Sequence, residues 1–304
     1  MPTSVSSTCC WACGSARNRV YKPGNYHRPL QPADLEVTDY RYGITLMLCA
    51  CEACGFIYAC GDDLRHLNQL YDRLEDTGYE RTQPARTRQV RQLMDHVLRV
   101  APRSKTLLDV GAGTGLLVRE ANTRGLDAIG IEPSRAFVRS AAQLNHVQLL
   151  RGRFPHPELE GRLFDVITMV DLIEHVPDPL RLLCDAASAL AAKGLLVVTT
   201  PDVGSLCARI FGHRWWHFRL AHVGYFTRQT LIAAAARADL QPVDMTRPTW
   251  FFPIEYLACR LEQYLPLKSI NQLIARFALG RWFYDRVIPI APRDSMTIFF
   301  ARSG

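Results

Sequence analysis

The sequence predicts an α/β protein built on a parallel sheet, with a small metal-binding module before it. Two observations carry that expectation. The first is Leu107-Leu108-Asp109-Val110-Gly111-Ala112-Gly113-Thr114-Gly115, an apolar run that passes into three glycines at alternate positions. The second is a pair of C-x-x-C-G sequences, Cys10-Trp11-Ala12-Cys13-Gly14 and Cys51-Glu52-Ala53-Cys54-Gly55.

The glycine run reads as a buried strand ending in a turn where the backbone approaches a ligand. Leu116, Leu117, Val118 and Ala121 then recur at helical spacing, so strand, glycine turn and helix N-terminus come in the order of a nucleotide-type site. Residues 126–131 read as a second strand that ends in Glu132. A carboxylate there, about 20 residues past the first glycine, is placed to accept hydrogen bonds from a ribose diol. The dinucleotide fingerprint wants a small residue where this chain has Leu116, and Asp109 suits a cationic ammonium group better than a diphosphate. S-adenosylmethionine is therefore expected ahead of NAD.

At the N-terminus, 37 residues separate Cys13 from Cys51. The C-x-x-C-G spacing lets two thiolates face one ion while the glycine turns backbone amides toward the sulfurs, and four sulfurs suit tetrahedral Zn2+ at ~2.3 Å. Cys10, Cys13, Cys51 and Cys54 are expected to hold a structural zinc in a zinc-ribbon-like module, with strands over 35–40 and 43–48 in the insert. Cys9, Cys49 and Cys60 lie close by, and disulfides or incidental core cysteines are the competing reading. Cys9 is an alternative to Cys10, although only Cys10 keeps the register. A closed four-thiolate site leaves no position for substrate, so no catalytic role follows.

Three segments follow one another in a known order: Leu107 to Gly115, Gly130-Ile131-Glu132-Pro133-Ser134, and Val170-Asp171-Leu172-Ile173-Glu174-His175-Val176-Pro177-Asp178-Pro179. Together they resemble the successive motifs of class I S-adenosylmethionine-dependent methyltransferases, over roughly 104–243. The resemblance implies a Rossmann-like seven-stranded sheet whose last strand is antiparallel. It implies that Asp109 with Gly111, Ala112, Gly113 and Gly115 holds the methionine part, and that Glu132, beside Pro133, binds the ribose. Phe154 joins the cofactor site, and Asp171 and Leu172 line the methyl-transfer cavity. Many members carry an acidic residue near the adenine amino group where this chain has Arg153. The methyl-transfer site is expected to be free of metal.

Other elements follow from the punctuation. Residues 62–79 read as a polar connecting helix with Leu64, Leu67, Leu70 and Leu74 at helical spacing, and 84–100 as an arginine-rich helix with Val90, Leu93, Met94 and Val97 inward. Strands are expected at 106–110, 126–131, 147–150, 164–170, 194–200 and 240–245, and Ser295–Phe300 closes the sheet. The organisation is thus a zinc module over 1–61, connecting helices over 62–103, a core over 104–247 with a lid at 202–226, and a helical and aromatic cap with the last strand over 248–304.

The lid leaves the carboxyl end of the sheet and carries Arg214-Trp215-Trp216-His217-Phe218. It resembles the lid of methyltransferases found with sugar, lipid and polysaccharide pathways, where an E-H pair follows a W-W. Here His222 remains and Ala221 replaces the glutamate. Trp215, Trp216, His217 and Tyr225 are expected to meet the substrate. His222, and next His175, are expected to take the acceptor's proton, because imidazole titrates close to neutral pH. In the cap, aromatics alternate with Arg260, Lys268, Arg276, Arg281 and Arg286. That pattern fits a packed cap, a homodimer contact or, through 250–284, a peripheral membrane or lipid contact.

Composition frames the function. The chain has 304 residues, 48% of them hydrophobic, a net charge of +7, and ten cysteines of which seven precede residue 61. With no apolar run of eighteen and no signal-peptide pattern, a cytoplasmic enzyme in a reducing compartment is expected. The dispersed positive charge suggests small anionic partners. The expected reaction is methyl transfer to a hydroxyl, or an activated carbon, of a sugar, glycolipid or quinone-like acceptor. The alternative is a nucleic-acid-binding or -modifying protein guided by the zinc module. Against it, Arg17, Arg19, Lys22, Arg28 and Arg41 are few and scattered, and D-L-I-E stands where a base-modifying enzyme presents N/D-P-P-Y/F.

Overall fold

A computed structural model of the chain describes residues 9–303 except 39–40, 61–63, 65, 77, 80–81, 263, 266–281, 283 and 285. Three strands open it: β1 (Asn18–Lys22), β2 (Leu48–Cys51) and β3 (Ile57–Ala59). They are followed by α1 (Leu67–Asp72) and α2 (Gln83–Val100). The second helix begins with a proline in its first turn and buries Ala85, Met94 and Val97, the stripe its periodicity marks. Of the polar connecting helix expected over 62–79, α1 covers Leu67–Asp72, and residues 62–63, 65 and 77 lie outside the described ones.

The core then alternates strand and helix. β4 (Thr106–Val110), α3 (Leu116–Thr123), β5 (Asp127–Glu132), α4 (Arg135–Ser140), β6 (Leu150–Arg151), β7 (Phe164–Val170), α5 (Pro179–Ala189) and β8 (Leu190–Pro201) come first. After them come α6 (Leu206–Phe211), β9 (Gly224–Tyr225), α7 (Arg228–Ala236), β10 (Leu240–Thr246), β11 (Trp250–Pro253), α8 (Ile254–Leu261), β12 (Val287–Ile290) and β13 (Ser295–Arg302). Seven strands form one sheet in the order β10-β13-β8-β7-β4-β5-β6. β4 pairs in parallel with β5 and β7, and β7 with β8, whereas β13 lies antiparallel to β8 and β10. This is the Rossmann-like sheet that the sequence predicts. Its central strands are apolar on both faces because helices cover both, as Leu107, Leu108, Ile167, Val197 and Val198 show. The strand order reverses between β4 and β7, so the carboxyl ends diverge there and open a crevice.

The N-terminal module departs from expectation in two ways. Among the described residues, 35–38 and 43–47 do not form the two insert strands, and residues 39–40 lie outside the described ones; a 3-10 turn spans Pro32–Leu35, and β2 begins only at Leu48. Side chains replace the ladder there. Buried Asp34 accepts from Tyr26 and from the Gln31 amide, and Asn25 Oδ1 accepts from the Thr45 amide at 2.9 Å. Secondly, the module's sheet has the order β1-β2-β3-β9, so its fourth strand comes from the expected lid. Ile57 pairs with Tyr225 and Tyr58 with Gly224. Trp215, Phe218, Leu220, Ala221 and Val223 pack with Leu48 and Ala50 in one core, so the lid and the module fold together. One disulfide joins Cys49 to Cys60 on this sheet, outside the four C-x-x-C-G cysteines.

Candidate active site

A cavity of about 690 Å³ opens at the crevice. At one end lies the glycine turn. Asp109, next to last in β4, is buried, its Oδ1 accepting a 2.7 Å hydrogen bond from Thr168 Oγ1 on β7. Gly111, Gly113 and Gly115 all have positive φ, at 76°, 53° and 72°. The turn is sealed from behind by the amides of Gly111 and Ala112, both donating to Ile131 O at 2.9 Å. Glu132 closes β5, with its two carboxylate oxygens held by the amides of Gly113 and Ser134, each at 2.9 Å. These bonds fix the carboxylate and leave it a second lone pair on each oxygen.

Burial sets the charge states. Desolvation pushes both Asp109 and Glu132 up to about 7, against the hydrogen bonds that favour their ionised forms. Asp171, at φ 50°, is also raised by desolvation, with Arg86 opposing. The Arg86 guanidinium lies 3.8 Å from the centre of the Tyr79 ring, and both line the cavity.

Asp109, Gly111, Ala112, Gly113, Glu132, Pro133, Phe154, Asp171 and Leu172 all border this cavity. Gly115 does not. It is the left-handed residue before α3, and a Cβ there would meet Val147 at 2.4 Å, so its role is to turn the chain. Arg153 lines the cavity and pairs with Asp72 Oδ1 at 2.7 Å.

The acceptor end is built from the segment after β7 and from the lid. His175, His217, His222 and Trp216 border the cavity. Trp215 and Tyr225, expected at the substrate, do not. Trp215 is fully buried and donates from Nε1 to Asp294 Oδ2 at 3.3 Å; Tyr225 sits on β9 and donates to Arg219 O at 3.4 Å. The module's sheet drew both rings into its own core, away from the crevice. Asp178 caps α5 by accepting from the Arg181 amide at 3.0 Å.

Neither histidine titrates near neutrality. Burial pushes His175 down to about 4, and His222 well below its ordinary value, with neighbouring His175, Arg219 and His217 adding to the effect. Both are neutral at pH 7, so they present lone pairs to the cavity and not charge. The Nδ1 of His175 lies 2.8 Å from Ala221 O and 2.7 Å from Tyr71 Oη. A carbonyl only accepts, so Nδ1 carries the proton and Nε2 the lone pair. Glu174 is buried, and its Oε2 accepts from Thr200 Oγ1 at 2.9 Å. Tyr71, Thr200, Arg86 and Arg219 were not singled out from the sequence. They come from distant segments, and only the arginine-rich pattern of α2 hinted at one of them.

Beyond the histidines the wall is aromatic: Trp250, Phe251, Phe252 and Tyr256 of the cap line the cavity together with Arg260. The Arg260 guanidinium lies 4.7 Å from the Tyr256 ring centre and 5.3 Å from that of Phe252. These rings thus face inward. Much of the expected interfacial patch, residues 266–281 with 283, lies outside the described residues. Among the described residues, no helix is long and apolar enough to cross a membrane.

The four C-x-x-C-G cysteines form a separate cluster. Their sulfurs lie within 4.8 Å of one another, with Cys10 to Cys54 at 3.6 Å and Cys13 to Cys51 at 3.5 Å. Tetrahedral bonds of ~2.3 Å place sulfurs ~3.8 Å apart, so the cage has the size of a zinc site. Backbone amides of Ala12 and Cys13 bond the Cys10 sulfur, and those of Ala53 and Cys54 bond that of Cys51. Cys9 is exposed and stands outside the cluster.

Comparison with known proteins finds methyltransferases. The curated relatives include the ubiquinone biosynthesis O-methyltransferase of Coxiella burnetii, 31% identical over 103 residues, covering 32% of this chain and 44% of that protein. The protein of the same name from Bradyrhizobium sp. is 30% identical over 122 residues, covering 39% of this chain and 44% of that protein. The chain therefore spans under half the length of the curated relatives it matches. Among solved structures, a SAM-dependent methyltransferase from Thermotoga maritima aligns over 79% of this chain and 100% of its own, with 19% identity and a TM-score of 0.48. A family model described as a methyltransferase domain matches residues 84–244, more than half of the 304 residues, and the chain belongs to that methyltransferase family.

Proposed function

We propose that the chain is an S-adenosylmethionine-dependent methyltransferase that methylates a hydroxyl of a small, quinone-like aromatic acceptor. The observation that carries this reading is the polarity of the cavity. Asp109, the glycine turn and Glu132 form one end, and an aromatic wall with two neutral imidazoles forms the other. When bound, S-adenosylmethionine supplies an electrophilic methyl group on a sulfonium. Asp109 offers a buried carboxylate to the cationic methionine end, and Glu132 accepts from the ribose hydroxyls. The positive φ of Gly111 and Gly113 lets the backbone approach without a side chain intervening. Trp216, Phe251, Phe252 and Tyr256 offer aromatic faces to a flat acceptor. His222 and His175 receive the acceptor hydroxyl, whose proton must leave as the oxygen bonds to carbon.

The four-cysteine cage, in this reading, holds one zinc that fixes β1–β3 and, through β9, the lid that carries His222. The chemistry of the module speaks against a nucleic-acid reader. Lys22 is buried on Thr45 Oγ1 at 2.8 Å, and Arg28 and Arg41 both turn to Asp34. Three of its five candidate cations are thus spent on internal partners.

The test is turnover with labelled S-adenosylmethionine against a panel of hydroxylated quinones and phenols, nucleotide sugars and glycolipids. Product with the phenolic set supports the reading. Product with sugars alone would overturn the acceptor class, and no product with any of them, from protein that binds the cofactor, would overturn the reaction. Alanine at His222 is expected to lower turnover by ~10²–10⁴ with cofactor affinity unchanged.

A further inference from the structure

Glu174, His175 and His222 meet at the acceptor end of the cavity. One carboxylate oxygen and one ring nitrogen from each histidine lie within 4.8 Å of one another. Two atoms in this group are orphans. Glu174 Oε1 and His222 Nδ1 are buried and have no hydrogen-bond partner among the described residues. Glu174 is 2% exposed and His222 8%. A buried polar atom with no partner costs ~1–3 kcal/mol, so two of them in one cluster point to something that satisfies both.

Each of the three groups also has a hydrogen-bond partner within the protein. Thr200 Oγ1 donates to Glu174 Oε2 at 2.9 Å, Ala221 O accepts from His175 Nδ1 at 2.8 Å, and the His217 backbone bonds the ring of His222. Outer partners of this kind fix the tautomer and orientation of metal-ligating imidazoles and carboxylates. The arrangement leaves Glu174 Oε1 and His222 Nδ1 unpartnered and a lone pair on His175 Nε2.

We infer that Glu174, His175 and His222 form a second metal site, binding a divalent first-row transition ion at the acceptor end of the cavity. Two imidazoles and one carboxylate are the donor set for such ions, whereas Mg2+ and Ca2+ prefer all-oxygen shells. Bonds of ~2.0–2.2 Å bring ligand atoms ~3.0–3.5 Å apart. Separations of up to 4.8 Å reach that by modest side-chain rotation. The cysteine cage is closed by four protein ligands, but this site supplies three and leaves coordination positions open toward the cavity. An acceptor hydroxyl oxygen fits such a position. Coordination makes the hydroxyl more acidic, so its proton passes to solvent while the oxygen keeps the electron pair that forms the new bond to carbon. That role rests on the methyl-transfer reading; the binding of the ion does not. The site replaces the metal-free pocket expected from sequence, and it gives the two histidines a task that neutral, weakly basic imidazoles perform well.

The experiment uses the full chain, its cysteine cage zinc-loaded and loosely held metal removed by a mild chelator, titrated with Co2+. The expected result is uptake of one equivalent with weak visible bands and no near-ultraviolet thiolate band. Glu174→Gln and the double variant His175→Ala/His222→Ala should abolish uptake. Thr200→Val, which keeps all three ligands and removes an outer hydroxyl, should weaken it ~10–100-fold. Thermal melts and calorimetric titration with S-adenosylmethionine on the same samples report folding and the cofactor site independently. Folded, cofactor-binding protein that takes up no Co2+, or takes it up equally in the double variant, overturns the inference and leaves Glu174 and His222 as a proton-sharing pair. Co2+ uptake as expected by protein that binds no S-adenosylmethionine would support the metal site and overturn the methyl-transfer reading.

Discussion

Asp109 illustrates how far residue-scale reasoning reaches. Its place before the glycines is local sequence, and so is its suitability for a cation. Its charge state is not local, because burial beneath β7 and the Thr168 hydroxyl decide it. The sign of the consequence follows. A carboxyl held up at about 7 is substantially protonated on the acid side of that value, and a bound cation lowers it again. Affinity for S-adenosylmethionine should therefore climb as pH rises from about 6 to about 8, with protons released on binding at the lower end. Titration calorimetry in buffers of differing ionisation enthalpy checks this, and binding without proton release near pH 6.5 would contradict it. The histidines teach the same lesson in reverse. Sequence reading assigned them a titration near neutrality, but burial, with Arg219 and neighbouring imidazoles adding to it, keeps them neutral.

At the scale of elements, legibility tracked how local each determinant was. The strands of the large sheet and α2 were readable from apolar runs and helical spacing, because burial on two faces or one leaves a direct imprint. The turn at Pro32–Leu35 and the non-strand backbone at Thr45 stand in place of a ladder because Asp34 and Asn25 offered the backbone side-chain partners. β9 is two residues long and owes its existence to β3, which lies far away in sequence. Phe56 marks the join between module and core. It is fully buried, 4.6 Å from the Phe226 ring centre and 5.8 Å from that of Tyr58. Phe56→Ala should cost ~3–5 kcal/mol in chemical denaturation. A loss under ~1 kcal/mol would mean that the module does not pack on the core as described.

For the whole molecule, the coupling of cysteine module, lid and cavity is the main consequence. The Ala59 amide donates to Val223 O at 2.7 Å, and the Val223 amide to Glu174 O at 2.8 Å, so a chain of backbone bonds runs from the module to the acceptor end. Cys13→Ser should lose the zinc, lower the melting temperature and cut turnover, while affinity for S-adenosylmethionine stays near that of the parent chain. Elemental analysis, thermal melts and calorimetry read the three effects. Metal loss that leaves turnover intact would show that the module is independent of the site. The sequence showed the two halves of this machine separately, as a glycine turn and a cysteine pair. Their connection was hidden because it is made by β9 and Val223, which carry no motif.

The central claim is that the glycine turn with Glu132 binds S-adenosylmethionine, and calorimetric titration of the parent chain and of Glu132→Ala tests it most directly. Each hydrogen bond to an ionised carboxylate is worth ~1.5–3 kcal/mol, so the variant should bind at least about tenfold more weakly. Equal affinity in the two proteins, or tighter binding of NAD than of S-adenosylmethionine to the parent chain, would contradict the account.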